Sequence, residues 1–323
     1  MSLVVSNLSK KYDSKTVVDN LNFEISKPGV YALLGTNGAG KTTSIRMILG
    51  MLSRDRGEVL WNGAPFSLNT CKVGYLAEER GLYPKYTLLD QLTYFAELRG
   101  LSKAEAGKRI DYWADRLEVE EYIFTNTALM QALAGVSPSA RTKPQKAMKA
   151  DQLSKGNQQK IQFMVTLLSD PELLILDEPL SGLDPVNTDL FKSIIREEID
   201  KGKYLIMSSH QMATVEEFCT DMTILSRSKT VLQGNLNEIK KRYGRVNLSL
   251  KTEQDATQYI KSSGARLVTS KENEYEIKVD GDAQANALLG ALVQNNISIV
   301  TFDLREPSLH EIFVETVGGR EDE

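Results

Sequence analysis

Cysteine is nearly absent: Cys71 and Cys219 are the only two in 323 residues, far apart and without metal-ligating neighbours. That excludes a disulfide framework and suits reduced thiols. Histidine is as scarce, with only His210 and His310. No apolar run approaches the ~20 residues of a membrane span. No signal peptide opens the sequence. An excess of basic charge is missing too. With 39 Lys and Arg against 43 Asp and Glu, the net charge is −4, which argues against nucleic acid as a partner. What is present is material for a core: 41% of the residues are hydrophobic, enough for two domains.

The densest chemistry lies near residue 40. Val30 to Leu34 is a short apolar run without helical period, the pattern of a buried parallel strand. Gly35-Thr36-Asn37-Gly38-Ala39-Gly40-Lys41-Thr42-Thr43 follows at once, a full G-x-x-x-x-G-K-T loop. Its glycines reach backbone angles closed to other residues, so successive N–H groups can turn inward around phosphate oxygens. Lys41 would serve the β- and γ-phosphates of ATP, and the Thr42 hydroxyl would be a ligand for Mg2+. Ile45, Ile48, Leu49 and Leu52 then recur at helical spacing. The N-terminus of that helix would point at the anion.

A second apolar run, Leu173 to Leu176, ends in Asp177-Glu178. At a strand end Asp177 can hold Mg2+ through water. Glu178 would face the γ-phosphate and polarise the attacking water as general base. Adjacent acids at a strand end can also be merely solvated, but four aliphatics before them and Pro179 after them favour a site. A third run, Tyr204 to Ser209, ends in His210, and ligands in parallel sheets gather at such carboxyl ends. His210 is therefore expected at the γ-phosphate, and His310 as an exposed helix residue.

Together these motifs resemble the nucleotide-binding subunit of ABC transporters over about residues 1–235. Gly35 to Thr43 resemble the Walker A loop, and Leu173 to Glu178 resemble Walker B with the catalytic glutamate. Leu153-Ser154-Lys155-Gly156-Asn157 is similar to the signature loop, Ser181-Gly182-Leu183-Asp184 to the D-loop, and His210 to the switch histidine. Tyr12 sits where the family stacks an aromatic on adenine; an ordinary hairpin aromatic is the other reading. The resemblance implies two subunits, a homodimer, facing head to tail. Each ATP lies between the Walker A loop of one and Ser154 to Asn157 of the other. It also implies an integral-membrane permease as partner and a place on the cytoplasmic face of the membrane. The function so implied is ATP hydrolysis that energises export; an ATP-driven regulatory switch on a membrane or cytosolic partner is the alternative.

The sequence departs from the family pattern at three places. Lys155 stands where the commonest signature has a second-position glycine, and Asn157 where it has glutamine, in a form similar to the export-type branch paired with ABC-2-like permeases, while Ser154 and Gly156 are kept. Glu78 stands where most relatives have the glutamine of the Q-loop; its carboxylate could still reach the metal, or it could be half of a surface acid pair with Glu79. An insertion spans about 124–150, apolar at first and then basic, with Arg141, Lys143, Lys146 and Lys149 and no acid among them. It reads as a solvated loop or as a contact with the permease or anionic headgroups.

The fold class expected is α/β, a P-loop NTPase core with an antiparallel β subdomain and a helical subdomain, plus a small C-terminal α+β domain. Alternation at Leu3 and Val5 and at Leu21, Phe23 and Ile25 places the antiparallel strands. The helical subdomain runs from about 79 to 165, with Leu92, Phe95, Ala96 and Leu98 on its first apolar face. After the ATP-binding domain at 1–235 and a helical linker at 236–244, the pattern β-α-β-β-α-β over 245–317 suggests a ferredoxin-like accessory domain. Its first helix is expected over Gln254–Lys261. A tail at 318–323 closes the sequence.

Overall fold

The computed structural model describes residues 1–79, 81–124 and 148–318. The expected insertion at 124–150 lies, over residues 125–147, outside the described residues, as does nearly all of the tail. The chain divides into two compact units: Met1–His210 with Leu225–Thr230, and Gln211–Ile224 with the residues from Val231 onward.

The first unit is built on a parallel sheet. Strand β3 (Gly29–Gly35) pairs with β8 (Tyr204–Ser209), β8 with β7 (Leu173–Asp177), and β7 with β6 (Val73–Leu76). Every residue of β3, β7 and β8 is buried. Strands covered on both faces need no polar alternation, hence their unbroken apolar runs. Register then aligns the carboxyl ends, with Leu34 opposite Ser209, Asp177 opposite Ser208, and Leu76 opposite Leu176. An antiparallel group stands beside them. Strand β1 (Leu3–Tyr12) pairs with β2 (Lys15–Ile25) and β4 (Arg56–Trp61), and β4 with β5 (Ala64–Pro65). The alternating Leu3, Val5, Leu21, Phe23 and Ile25 all enter the core.

Four helices follow the sheet motifs: α1 (Lys41–Ile48), α2 (Leu88–Leu98), α3 (Lys103–Arg116) and the single turn α4 (Glu120–Ile123). The α2 start is capped by Thr87, whose hydroxyl accepts from the Asp90 N–H at 3.2 Å, and α3 carries a Ser102–Glu105 capping box. The chain returns at Met148, whose carbonyl accepts the Leu88 N–H at 3.0 Å. The helix α5 (Lys155–Leu167) and, after β7, α6 (Pro185–Asp200) complete the helical part. One expectation fails on α2. Leu98 is 66% exposed, while Leu88, Gln91, Leu92 and Ala96 form the buried stripe. Six positions of a 3.6-residue helix separate Leu98 from Leu92 and turn it to the far side.

The second unit holds α7 (Met212–Glu216), most of the hairpin β9 (Cys219–Ser226) and β10 (Lys229–Asn235), and α8 (Leu236–Tyr243). A four-stranded antiparallel sheet follows, in the order β12 (Arg266–Lys271), β13 (Glu274–Lys278), β11 (Asn247–Thr252), β14 (Ile299–Arg305). With α9 (Thr257–Ser262) between the first two strands in sequence and α10 (Asp282–Gln294) between the last two, this is the split β-α-β arrangement of a ferredoxin-like sandwich. Leu248, Leu250, Tyr275 and Ile277 point inward against Ile260, Leu288 and Leu292. The helix expected from Gln254 starts only at Thr257. Asp255 explains the delay: its carboxylate accepts the Thr257 N–H at 2.9 Å and the Tyr275 hydroxyl at 3.0 Å, which makes a turn of this stretch. A last helix, α11 (Leu309–Gly318), carries His310 exposed on its surface.

Candidate active site

At or just beyond the aligned ends of β3, β6, β7 and β8 lie Gly35, Glu78, Glu178 and His210. The loop after β3 lines a cavity of about 270 Å³ together with Val17, Glu78 and Glu178. Its other walls are Thr36, Asn37, Gly38, Gly40, Lys41, Thr42 and Thr43, so one space gathers most of the first motif. Two glycines are required by close backbone approach. A Cβ on Gly35 would meet the Leu225 carbonyl oxygen at 2.4 Å, and one on Gly40 the Val17 oxygen at 2.6 Å. Gly40, at φ 108°, is also the N-cap of α1. Ala39 is buried beneath the loop.

Lys41 is itself buried. Its ammonium donates to the Gly35 carbonyl at 2.8 Å and stands 3.4 Å from the Glu178 carboxylate. Glu178 Oε2 lies 2.9 Å from His210 Nδ1, and Glu178 Oε1 is buried without a hydrogen bond. Glu178 holds a left-handed backbone at φ 52°, an uncommon state for a residue with a side chain. That turn takes it off the line of β7, away from the strand alternation.

Asp177 is buried as well. Burial pushes its carboxyl up from the ordinary value, against hydrogen bonds from Ser208 and Thr42 that favour the charged form. Its Oδ1 accepts the Ser208 hydroxyl proton, while Oδ2 is buried without a partner. An unpaired carboxylate oxygen beside the Thr42 hydroxyl is a pair of hard oxygen donors, which fits Mg2+.

The other motif residues lie apart from this cavity. Ser154 is the N-cap of α5, its hydroxyl accepting the Asn157 N–H at 3.2 Å, with Lys155 and Gly156 in the first turn. Asp184 caps α6 in the same way, accepting from Asn187 N–H at 3.0 Å, and Ser181 N–H donates to the Glu178 carbonyl at 3.2 Å. The two loops touch: a Cβ on Gly156 would lie 3.7 Å from Asn187 Nδ2. Gln159 of α5 donates to the Pro179 carbonyl at 2.6 Å, so the first turns of α5 are tied to the chain just after Glu178. Tyr12 is exposed at the end of β1, with the Lys10 ammonium 5.4 Å from its ring centre, and does not line the cavity.

Sequence reasoning missed Val17 and Ser208. Val17 reaches the cavity from β2, a contact made by sheet packing and carried by no motif. Ser208 left one signal: a polar residue inside an otherwise apolar buried strand needs a partner.

A glycine-rich loop leading from a buried parallel strand into a helix, with two acids at the end of a neighbouring strand, defines a P-loop nucleotide-binding protein. The chain belongs to the ABC transporter family as an ATP-binding subunit. The family profile described as ABC transporter matches residues 18–181, and that of the C-terminal domain of DrrA1-3-like ATP-binding proteins matches 234–317. The chain is 39% identical over 319 residues to the uncharacterised ABC transporter ATP-binding protein YhaQ of Bacillus subtilis, covering 98% of this chain and 99% of that protein. It is 28% identical to the linearmycin resistance ATP-binding protein LnrL of the same organism, over 98% of each chain. The Nod factor export ATP-binding protein I of Ralstonia nicotianae is 29% identical over 73% of this chain and 68% of its own length. A solved structure described as the ATP-binding subunit of an ABC transporter superposes with a TM-score of 0.63 at 28% identity, covering 75% of this chain and 93% of that one. The family and the fold class expected from the sequence are both borne out. Membership implies ATPase activity in general, and no helix among the described residues is long and apolar enough to cross a membrane.

Proposed function

We propose that this subunit hydrolyses ATP to ADP and phosphate and energises export through a separate integral-membrane permease, cycling between an ATP-bound homodimer and an open state. The observation that carries the reading is that Lys41 and Glu178 line one cavity at the ends of the parallel strands, with His210 in contact with Glu178. The N–H groups of Gly38 to Thr43 and the Lys41 ammonium bind the β- and γ-phosphates. Glu178 accepts a proton from the water that attacks the γ-phosphorus, and the bond from that phosphorus to the bridging oxygen breaks. His210 orients the Glu178 carboxylate through its Nδ1 contact. A positioned base of this kind contributes about 10²–10⁴ in rate.

Thr42, Asp177 and Glu78 would hold Mg2+, which supplies charge neutralisation on the phosphates. Among the described residues no three His, Cys, Asp or Glu side chains form a metal cage of their own. That accords with Mg2+, which usually takes one or two carboxylates and fills its shell with water and substrate phosphate. Ser154 and the Gly156 N–H, at the start of α5, receive the γ-phosphate of the second subunit, with Lys155 and Asn157 beside them. Ser181 and Asp184 line the same contact, and Tyr12 stacks on the adenine. Residues 1–235 form the ATP-binding domain, and 245–317 the accessory domain beyond the link at 236–244.

The permease meets a groove of about 600 Å³ formed by Tyr83, Tyr86, Asp90, Gln91 and Tyr94. The three tyrosines are exposed, and aromatic rings with a polar tip are favoured at protein interfaces. Gln162 of α5 donates to the Glu79 carbonyl at 3.3 Å, which links the Q-loop ahead of that groove to the helix carrying Ser154. The name of the Nod factor export protein supports the export direction. Held by its permease, the subunit sits on the cytoplasmic face of the membrane. The test is the size of the Glu178→Gln variant at saturating Mg-ATP. A dimer that reverts to monomer on nucleotide removal is expected. A variant that stays monomeric, alone and with its membrane partner, overturns the reading.

A further inference from the structure

Ser208 is fully buried, and it is the cross-strand partner of Asp177 in the β7–β8 register. Its hydroxyl does two things at once. It donates its proton to Asp177 Oδ1, and it accepts the Glu178 backbone N–H at 3.1 Å. The same N–H also lies 3.2 Å from the Ser208 carbonyl oxygen, so the left-handed turn at Glu178 rests on this one residue from two sides. A hydroxyl has one proton and two lone pairs, so both bonds can form together. With Oδ1 engaged, the Asp177 carboxylate cannot rotate freely, and Oδ2 remains the oxygen without a partner.

We infer that Ser208 is a positioning residue for hydrolysis: its hydroxyl couples the orientation of the Asp177 carboxylate to the backbone turn that aims Glu178 at the attacking water. This rests on the reading of Glu178 as general base. The two acids are neighbours in sequence but have different tasks, and without a shared anchor each could settle alone. A left-handed non-glycine residue is strained, and such strain persists only where surrounding bonds over-determine it. Removing the hydroxyl would leave the Glu178 N–H with one acceptor and Asp177 Oδ1 without its donor from β8. Hydrogen bonds to charged groups are the strong ones, and a buried acceptor left unmade is costly. Nucleotide affinity should change little, since Ser208 is absent from the cavity wall and the loop after β3 supplies that wall.

The experiment uses the full chain with Ser208→Ala, Ser208→Cys and Ser208→Thr. Ala and Cys keep the size small and remove a competent hydroxyl; Thr retains it. Expected is a fall in kcat of at least about tenfold for Ala and Cys, with KM for Mg-ATP within about twofold of the parent. Thr should recover most of the rate. A second readout needs no turnover: the Ser208→Ala change placed in the Glu178→Gln variant should leave ATP-dependent dimer formation within about threefold, since the binding groups are intact. A merely structural Ser208 would weaken dimer formation and lower the melting temperature in step with kcat. The inference fails if kcat for Ala and Cys stays within about twofold of the parent. It also fails if Thr is as slow as Ala while dimer formation is lost. Normal hydrolysis by Glu178→Gln alone would instead refute the assignment of the base, whatever Ser208 does.

Discussion

The two units treat buried polar groups in opposite ways. In the first, Asp177 Oδ2 and Glu178 Oε1 are buried at the cavity without a hydrogen bond, the latter only 3.4 Å from the Lys41 ammonium and on a left-handed backbone, and Ser169 Oγ, Glu198 Oε2 and Thr230 Oγ1 likewise lack one. In the second, no buried side-chain nitrogen or oxygen among the described residues lacks a partner. Tyr275 both donates to Asp255 and accepts from Ala256, and Glu311 is held by Asn247, Ser308 and Lys278. The left-handed pair Glu272 and Asn273 in the second unit only turns the β12–β13 hairpin. Buried polar atoms without a hydrogen bond cost free energy, and at the cavity a bound ligand would complete Asp177 and Glu178. The difference separates a working site from a scaffold.

The largest test of that contrast compares two acids. Glu178→Gln should lower ATP turnover by about 10²–10⁴ while ATP still binds. Glu276→Gln, on the open face of the accessory sheet 3.9 Å from Arg305, should leave turnover unchanged. A steady-state rate assay at saturating Mg-ATP reads both, and equal rates for the two variants would erase the distinction. Next in size is Leu250→Ala. Leu250 is buried among Tyr275, Ile260 and Leu288, and truncation should cost about 2–5 kcal/mol of the second unit's stability. Thermal unfolding followed with and without ATP should show the loss in a transition that nucleotide does not shift, with ATP affinity kept.

Gly40→Ala should have a smaller effect and a confined one. The added methyl would stand 2.6 Å from the Val17 carbonyl oxygen on a backbone at φ 108°. The loop must shift, and nucleotide affinity should fall at least about tenfold, about 1.4 kcal/mol, as measured by nucleotide titration. Gly281→Ala provides the matching control in the second unit. Gly281 also has a positive φ, 140°, but nothing lies within 4 Å of its Cβ position. Strain without a clash should lower the stability of that unit and leave ATP affinity alone.

Most of the site could be read from the sequence because its chemistry is local. The run from Gly35 to Thr43 is contiguous, and Asp177-Glu178 and His210 each end an apolar strand. What could not be read came from register and from helix phase. Ser208 meets Asp177 only because β7 and β8 pair with Asp177 opposite Ser208, and Val17 meets the loop only through packing of β2. Leu98 looked apolar enough to be buried, yet the buried stripe of α2 accepted the polar Gln91 instead. Its side chain explains the choice: it accepts the Tyr83 N–H at 2.7 Å and donates to the Tyr86 carbonyl at 3.1 Å. A hydrogen-bonded amide can take a core position that composition would assign to leucine.

The smallest expected effect tests the satisfied side of the contrast. Burial pushes the Glu311 carboxyl up, but the Ser308, Lys278 and Asn247 donors outweigh it and hold the group down at about 2, from an ordinary 4.5. A depressed carboxylate contributes stability that is fully present above its unfolded value and is lost as pH falls through the folded one. The window is therefore about pH 4.5 down to about 2. The group is partly open to solvent, so the contribution is modest. Denaturant unfolding of the parent should weaken more steeply across that window than unfolding of Glu311→Gln, which cannot titrate. Above it, the variant should be the less stable of the two by a constant amount, with ATP affinity equal. Parallel curves across the window would mean that Glu311 is no better satisfied folded than unfolded, and the second unit would lose its clearest example of a completed charge.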